Sequence, residues 1–202
     1  MFGSEKDNIK LVADGLTPKE LYEKAEDKVD SGLIEQAIED YQLILASYPN
    51  SKYAIQARLD IAYNLFKQKK YNRAIIELDN FIERYPDIAT TPYAYYLRGV
   101  IAESKSNSIL DNIVTDNAQR DVSSVKDAYK YYQELIITFP DSKYSEEAKN
   151  KLSNLRNILA KHEFYVAIYY HRIGAYIASS NRTKYIIENL SLIHISEPTR
   201  PY

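Results

Sequence analysis

Apolar positions recur at helical spacing in the first part of the chain, and each run ends at a short polar break. Large side chains lie three residues apart at Ile38 and Tyr41 and again at Ile75 and Leu78, as on one face of a helix. Only 5 of the 202 residues are glycine, so tight hairpins are few and strands are disfavoured. The pattern therefore predicts an all-α protein.

Local signals at helix ends divide this part of the chain into pairs of helices. Thr17 is a predicted N-cap, because Pro18 follows at the first helical position and Glu20 completes a capping box. Gly32 separates the first two helices, and a Tyr-Pro dipeptide that begins at Tyr48 closes the pair. The predicted helices of the first two pairs are residues 21–30, 33–47, 53–68 and 71–84.

The two helix pairs repeat each other along the chain. Pro49 and Pro86 are 37 residues apart. Small residues occupy the positions at which paired helices would cross, and a small side chain lets the helix axes approach. These positions are Ala25, Ala62 and Gly99 in the first helices, and Ala37, Ala74 and Ala128 in the second helices. This register is typical of tetratricopeptide repeats, and it predicts a solenoid of about four helix-turn-helix units.

The predicted repeat domain covers residues 17–189, and its repeats differ in length. The four repeats are residues 17–50, 51–87, 88–141 and 142–189. Pro140 closes the third repeat 54 residues after Pro86, so that repeat holds about 17 residues more than the second. We place the extra residues in a polar loop, 106–122, which is either a binding loop or a tolerated surface loop. The fourth repeat begins at the N-cap Ser142, and its first helix runs to about Arg172.

Both ends of the chain differ from the repeats. Residues 1–16 are polar and predict a tether, with Met1 as an internal start downstream of an unseen signal. Residues 190–202 look like a translated sequencing adapter, so we expect the natural chain to be interrupted after Asn189. We also expect this segment to make few packing contacts.

Composition and motifs exclude several function classes. The net charge is -2 without a run of Lys or Arg, which disfavours nucleic acid as a partner. The absence of cysteine excludes disulfides, thiolate catalysis and cysteine-based metal sites. The sequence also contains no run of roughly 20 apolar residues, the length needed to cross a bilayer. The dipeptide His162-Glu163 lacks the second histidine of a zinc-protease helix. We therefore predict that the protein is no enzyme and holds neither a metal nor a cofactor.

Two later segments resemble BamD, a family of tetratricopeptide-repeat lipoproteins. The first runs from Leu159 to Tyr170 and reads Leu-Ala-Lys-His-Glu-Phe-Tyr-Val-Ala-Ile-Tyr-Tyr. The second runs from Gly174 to Arg182 and reads Gly-Ala-Tyr-Ile-Ala-Ser-Ser-Asn-Arg. The resemblance covers residues 16–189, and the first of these segments is far more specific than a generic repeat.

The resemblance implies a non-enzymatic scaffold of the complex that inserts β-barrels into the outer membrane. It implies three partners: the POTRA domains of BamA, the other Bam lipoproteins and unfolded outer-membrane barrels. It also implies a lipid anchor at the periplasmic face of the outer membrane, although the sequence lacks the lipidated Cys. Two further departures are Ser179-Ser180, in place of a small apolar pair, and the loss of a fifth repeat expected after Asn189.

Partner-binding residues follow from the resemblance and from the pattern of the long helix. Asn181 and Arg182 match the family's Asn-Arg, whose arginine pairs with a POTRA carboxylate, while a merely solvated arginine is the alternative. Tyr170 is a candidate because it and Tyr169 are adjacent on one helix, so one of them is expected to face a partner. For His162-Glu163 we expect a structural role.

Tyr48 is a fourth candidate, since the family links this position to recognition of the barrel signal. The alternative is structural, because Tyr85 and Phe139 occupy the same repeat position and could plug the turn. Two other functions stay open at this point. One is another periplasmic repeat module that coordinates envelope construction or cell division, and the other is an accessory domain of an enzyme.

Overall fold

A computed structural model describes residues 15–111 and 122–190, and these ranges contain eight α-helices without a β-strand. The helices are α1 (Pro18–Asp30), α2 (Ile34–Ser47), α3 (Lys52–Lys67), α4 (Tyr71–Arg84), α5 (Thr91–Asp111), α6 (Ser123–Thr138), α7 (Lys143–Arg172) and α8 (Tyr176–Tyr185). A π-helical turn, Ile186–Leu190, follows α8. The all-α prediction is confirmed, and no helix in these ranges is both long and apolar enough to span a membrane.

The predicted N-caps form as expected. The Thr17 hydroxyl accepts from the amide of Glu20, whose carboxylate accepts from the amide of Thr17 at 2.7 Å, so the capping box is complete. The hydroxyl of the predicted N-cap Ser142 accepts from the amide of Tyr144 and caps α7. The Ser51 hydroxyl, a cap that the sequence analysis did not predict, accepts from the amide of Ala54 and caps α3. Each cap satisfies a backbone donor that has no partner within its helix.

The chain forms two compact units. The first ends at Ala94 and holds α1 to α4 with the first turn of α5, and the second begins at Tyr95. In the first unit the four alanines predicted at helix crossings have no exposed surface: Ala25, Ala37, Ala62 and Ala74. The predicted close approach of paired helices is therefore confirmed in this unit.

The turns within three helix pairs share one backbone conformation. Gly32, Lys69 and Gly174 have φ values of 76°, 60° and 77°, in the left-handed region. In each turn the backbone N–H of this residue donates to the carbonyl of the residue three positions earlier. The N–H of the next residue donates to the carbonyl of the residue five positions before it. This bonding is the Schellman motif, which satisfies the last carbonyls of a helix.

The second unit also packs helices around a small residue. A Cβ atom on Gly99 of α5 would collide with the ring of Tyr132 of α6, so only glycine fits there. Tyr132 is fully buried, and its hydroxyl donates to the Glu103 carboxylate at 3.0 Å. Lys151 of α7 pairs with the same carboxylate at 2.8 Å, so Glu103 links α5, α6 and α7.

The structure differs from two expectations within the described residues. The loop of the third repeat does not begin at residue 106, because α5 continues to Asp111 and Ser106 is buried. No glycine or proline lies between residues 100 and 122 to end the helix. Leu190 is buried at the end of the π-helical turn, so it does not behave as an unpacked tail residue. The rest of the predicted loop (112–121), residues 1–14 of the tether and residues 191–202 lie outside the described ranges.

Candidate partner-binding site

Three of the four predicted partner-binding residues line one cavity in the second unit. The cavity has a volume of about 370 Å³, and its lining residues are Tyr170, Ala178, Asn181, Arg182 and Tyr185. Tyr170 lies in the last turn of α7, and the other four lie on α8 at the spacing of one helix face. We call it the α8 cavity.

A hydroxyl missed by the sequence analysis fixes α8 against α7. The Ser179 Oγ atom donates to the carbonyl of Ala167 at 2.9 Å. A small apolar residue at this position could not make that bond. Ser179 therefore acts in packing, and only its place beside Ala167 in the structure reveals this role.

Arg182 is held in place by a buried carboxylate. Its Nη1 atom donates to Oε2 of Glu163 at 2.9 Å, and the Glu163 side chain is only 3% exposed. Lys126 of α6 approaches the other oxygen of Glu163 at 3.9 Å. Glu163 therefore links α6, α7 and α8, which agrees with the structural role expected for this member of the His162-Glu163 pair.

The α8 cavity can bind a partner through hydrogen bonds and aromatic surface. The Arg182 side chain is 45% exposed, and its guanidinium has five N–H donors, of which Glu163 takes one in the described structure. Asn181 adds an amide, and Tyr170 and Tyr185 add rings with hydroxyl groups. Among the described residues no group of His, Asp or Glu could hold a metal ion. The arrangement suits recognition of a carboxylate or a peptide backbone.

The two adjacent tyrosines of α7 have different surroundings. Tyr169 is 53% exposed, whereas Tyr170 is half-buried and lines the α8 cavity. Their rings contact each other edge to face, with centroids 5.7 Å apart. Tyr169 is therefore more exposed to solvent, whereas Tyr170 lines the α8 cavity.

Tyr48 lies in the first unit and is not part of the α8 cavity. Its hydroxyl donates to the carbonyl of Leu16 at 2.8 Å, and its ring is half-buried. The backbone conformation of Tyr48, with φ -133° and ψ 52°, recurs almost unchanged at Tyr85 and Phe139. These three aromatic residues share one place in the repeat, where each ends its helix before a proline.

Comparison with known proteins places the chain in a family. A family model described as YfiO, outer membrane lipoprotein, matches residues 14–197. The chain belongs to this family. It is 31% identical over 187 residues to the outer membrane protein assembly factor BamD of Xylella fastidiosa strain Temecula1, and it spans 64% of that relative's length. The matched part is 92% of this chain.

Two further relatives carry the same name. The BamD of Neisseria gonorrhoeae is 34% identical over 170 residues, which cover 84% of this chain and 64% of the relative. The BamD of Neisseria meningitidis serogroup B is 31% identical over 189 residues, which cover 88% of this chain and 71% of the relative. Among solved structures, MamA from Desulfovibrio magneticus RS-1 matches 91% of this chain and 82% of its own, at 15% identity and a TM-score of 0.45.

Proposed function

We propose that the protein is a non-enzymatic scaffold of the machinery that assembles β-barrel proteins in the outer membrane. Its relatives are named outer membrane protein assembly factors, and the family is one of outer membrane lipoproteins. On this proposal the protein is lipid-anchored at the periplasmic face and binds the POTRA domains of BamA. The other Bam lipoproteins and unfolded barrels are its further partners.

The observation that carries the proposal is the anchored arginine of the α8 cavity. Glu163 accepts one hydrogen bond from the Arg182 guanidinium, and the Arg182 side chain remains 45% exposed. A planar guanidinium can hold a partner's carboxylate through two parallel hydrogen bonds, and it is already oriented before the partner arrives. Asn181 and Tyr170 would contact the same partner, because they line the same cavity.

Tyr48 belongs to the proposal as a contact for the barrel signal. Its side chain is partly exposed at the end of α2, although its hydroxyl donates to the carbonyl of Leu16. The ring face is therefore the surface that it offers to an unfolded barrel. Tyr48→Leu removes the aromatic ring and should weaken crosslinking to a barrel segment.

The test of the α8 cavity measures binding of purified protein to the POTRA domains of BamA. Arg182→Lys keeps a positive charge beside Glu163 but loses the planar pair of donors, so binding should weaken roughly tenfold or more. Arg172→Lys is the matched control, because Arg172 is exposed at the end of α7 and lies outside the cavity. Circular dichroism checks that both variants stay folded.

A charge reversal tests for direct contact with BamA. Arg182→Glu alone would place two carboxylates together, so it is combined with Glu163→Gln. This double variant should lose binding and should regain it with BamA domains that carry an arginine in place of the paired carboxylate. Undiminished binding of both Arg182 variants would remove Arg182 from the contact and would refute the proposed role of the α8 cavity.

A further inference from the structure

A second cavity lies in the first unit, where α1, α2 and α3 meet. It has a volume of about 420 Å³, at the small end of ligand sites. Its lining residues are Tyr22, Glu23, Glu26, Asp27, Val29, Asp30, Tyr41, Asp60, Tyr63 and Asn64. We call it the acidic cleft, because five of these residues are carboxylates and none is a lysine or an arginine.

The nearest cations of α1 are engaged elsewhere or lie at the rim. Lys28 and Lys24 pair with Asp40, at 2.5 and 3.7 Å. Lys19 pairs with Glu23 at 3.4 Å, and both side chains are more than half exposed. The other carboxylates of the cleft therefore have no cationic partner among the described residues.

Two buried polar side chains in the cleft have unused hydrogen-bonding atoms. Tyr41 is 2% exposed, and its hydroxyl makes no hydrogen bond with any described residue, although its ring contacts that of Tyr22. Asn64 is 5% exposed, and its Nδ2 atom donates to the carbonyl of Asp60 at 2.8 Å. The Oδ1 atom of Asn64 accepts nothing from the described part of the chain. Both atoms line the cleft, so they are free to bond with a group that enters it.

The aromatic rings of the cleft also suit a cation. The Tyr22 ring contacts the rings of Tyr41, which also lines the cleft, and of Tyr53, which does not, each with centroids 5.5 Å apart. The Tyr22 hydroxyl donates to Asp60 at 2.5 Å, which fixes both side chains. The faces of aromatic rings attract cations, and the negatively charged carboxylates attract them more strongly.

We infer that the acidic cleft binds a lysine or arginine side chain presented by an extended peptide. The ammonium or guanidinium group would donate to Glu26, Asp30 and Asp60, while Tyr41 and Asn64 would accept further hydrogen bonds. The cleft holds one or two side chains, which a peptide segment can supply. This inference concerns the first unit and stands independently of the proposed role of the α8 cavity.

The test is a titration with a short fluorescein-labelled glycine-serine peptide that carries two central lysines. A matched peptide has glutamine at both positions. The lysine peptide should bind roughly tenfold more tightly, and its affinity should fall as sodium chloride is raised from about 50 to 500 mM. Equal affinities, or no binding of the lysine peptide at millimolar concentration, would overturn the inference.

Three variants locate the binding to the cleft. Glu26→Gln should weaken lysine-peptide binding roughly tenfold, whereas the matched control Glu83→Gln, on the exposed surface of α4, should leave it unchanged. Tyr41→Phe removes only a hydroxyl without an internal partner, so it should weaken binding and preserve the thermal midpoint. Equal effects of Glu26→Gln and Glu83→Gln would contradict the proposed site.

A polyamine distinguishes a peptide from a small soluble cation. Spermidine presents ammonium groups without a peptide backbone, so it should bind more weakly than the lysine peptide. If spermidine bound more tightly and the lysine peptide did not compete with it, the occupant would be a free amine and the peptide assignment would be wrong.

Discussion

Lys69 occupies a backbone conformation that L-residues adopt at a cost. The equivalent positions of the other turns are Gly32 and Gly174, and the Lys69 side chain is exposed without a partner in the described structure. Lys69→Gly removes the steric conflict of the left-handed conformation, worth about 1–2 kcal/mol, and adds flexibility to the unfolded chain. We expect a net gain of about 0.5–1 kcal/mol in the free energy of unfolding, measured by urea titration.

The control for this variant is Lys67→Gly, two residues earlier in the last turn of α3. Its backbone is helical, so glycine should cost about 1 kcal/mol there. The two variants should therefore change stability with opposite signs. A loss of stability in Lys69→Gly similar to that in Lys67→Gly would show that the left-handed conformation is not strained.

Glu26 should make stability depend on pH. Glu26 is exposed, but partial desolvation raises the pKa of its carboxyl above the ordinary 4.5, and the neighbouring Asp60 and Asp30 raise it further. The folded protein then holds this proton at a higher pH than the unfolded chain, so the ionised carboxylate lowers stability at neutral pH. Glu26→Gln should raise the thermal midpoint at pH 7, and the gain should shrink as the pH falls toward 4.5. A gain that is independent of pH would contradict this account.

At the scale of the helices, α5 and α6 touch at a point where no side chain fits. Helix propensity alone predicts that Gly99→Ala stabilises α5 by about 1 kcal/mol. The added methyl group would collide with the Tyr132 ring, which is fully buried and cannot move aside freely. We therefore expect Gly99→Ala to lower the free energy of unfolding by about 1–3 kcal/mol.

Whether Gly99→Ala raises or lowers the free energy of unfolding shows whether helix propensity or the collision with Tyr132 has the larger effect. Urea unfolding followed by circular dichroism measures it directly. A stabilised Gly99→Ala variant would mean that α5 and α6 separate easily, and the tight contact would then be of little energetic importance.

At the scale of the whole chain, most of the principal contacts between the described helices join neighbours in the sequence. They are α1 with α2, α2 with α3, α3 with α4, α6 with α7 and α7 with α8, together with α1 and α3. Chains dominated by local contacts fold quickly, because little loop entropy is lost before the contacts form. We expect the main refolding phase within milliseconds in a stopped-flow double-jump experiment, which removes the slow proline phases. A main phase of seconds would contradict this expectation.

The same locality explains why so much of the fold could be predicted from the sequence. Caps such as Thr17 and Ser142, and the spacing of small residues, are encoded within a few positions of where they act. The end of α5 could not be predicted, because polar residues without glycine or proline suit a helix and a loop alike. Buried Ser106 gives no signal in its own neighbourhood.

The candidate sites depend on contacts that are distant in sequence. Resemblance indicated Arg182, but its partner Glu163 lies 19 residues away on another helix. Nothing in the sequence showed that Ser179 bonds to Ala167, or that Tyr41 and Asp60 line one cleft. Such pairings follow from the angle at which two helices pack, which a helical pattern does not specify.

The contact between Gly99 and Tyr132 also constrains how the two positions can diverge during evolution. A side chain at position 99 crowds the ring, and a smaller residue at position 132 leaves a void beside the glycine. Either substitution alone lowers stability, whereas the two together can restore the packed volume. We therefore expect the two positions to covary among relatives, with a bulkier residue at the first accompanied by a smaller one at the second.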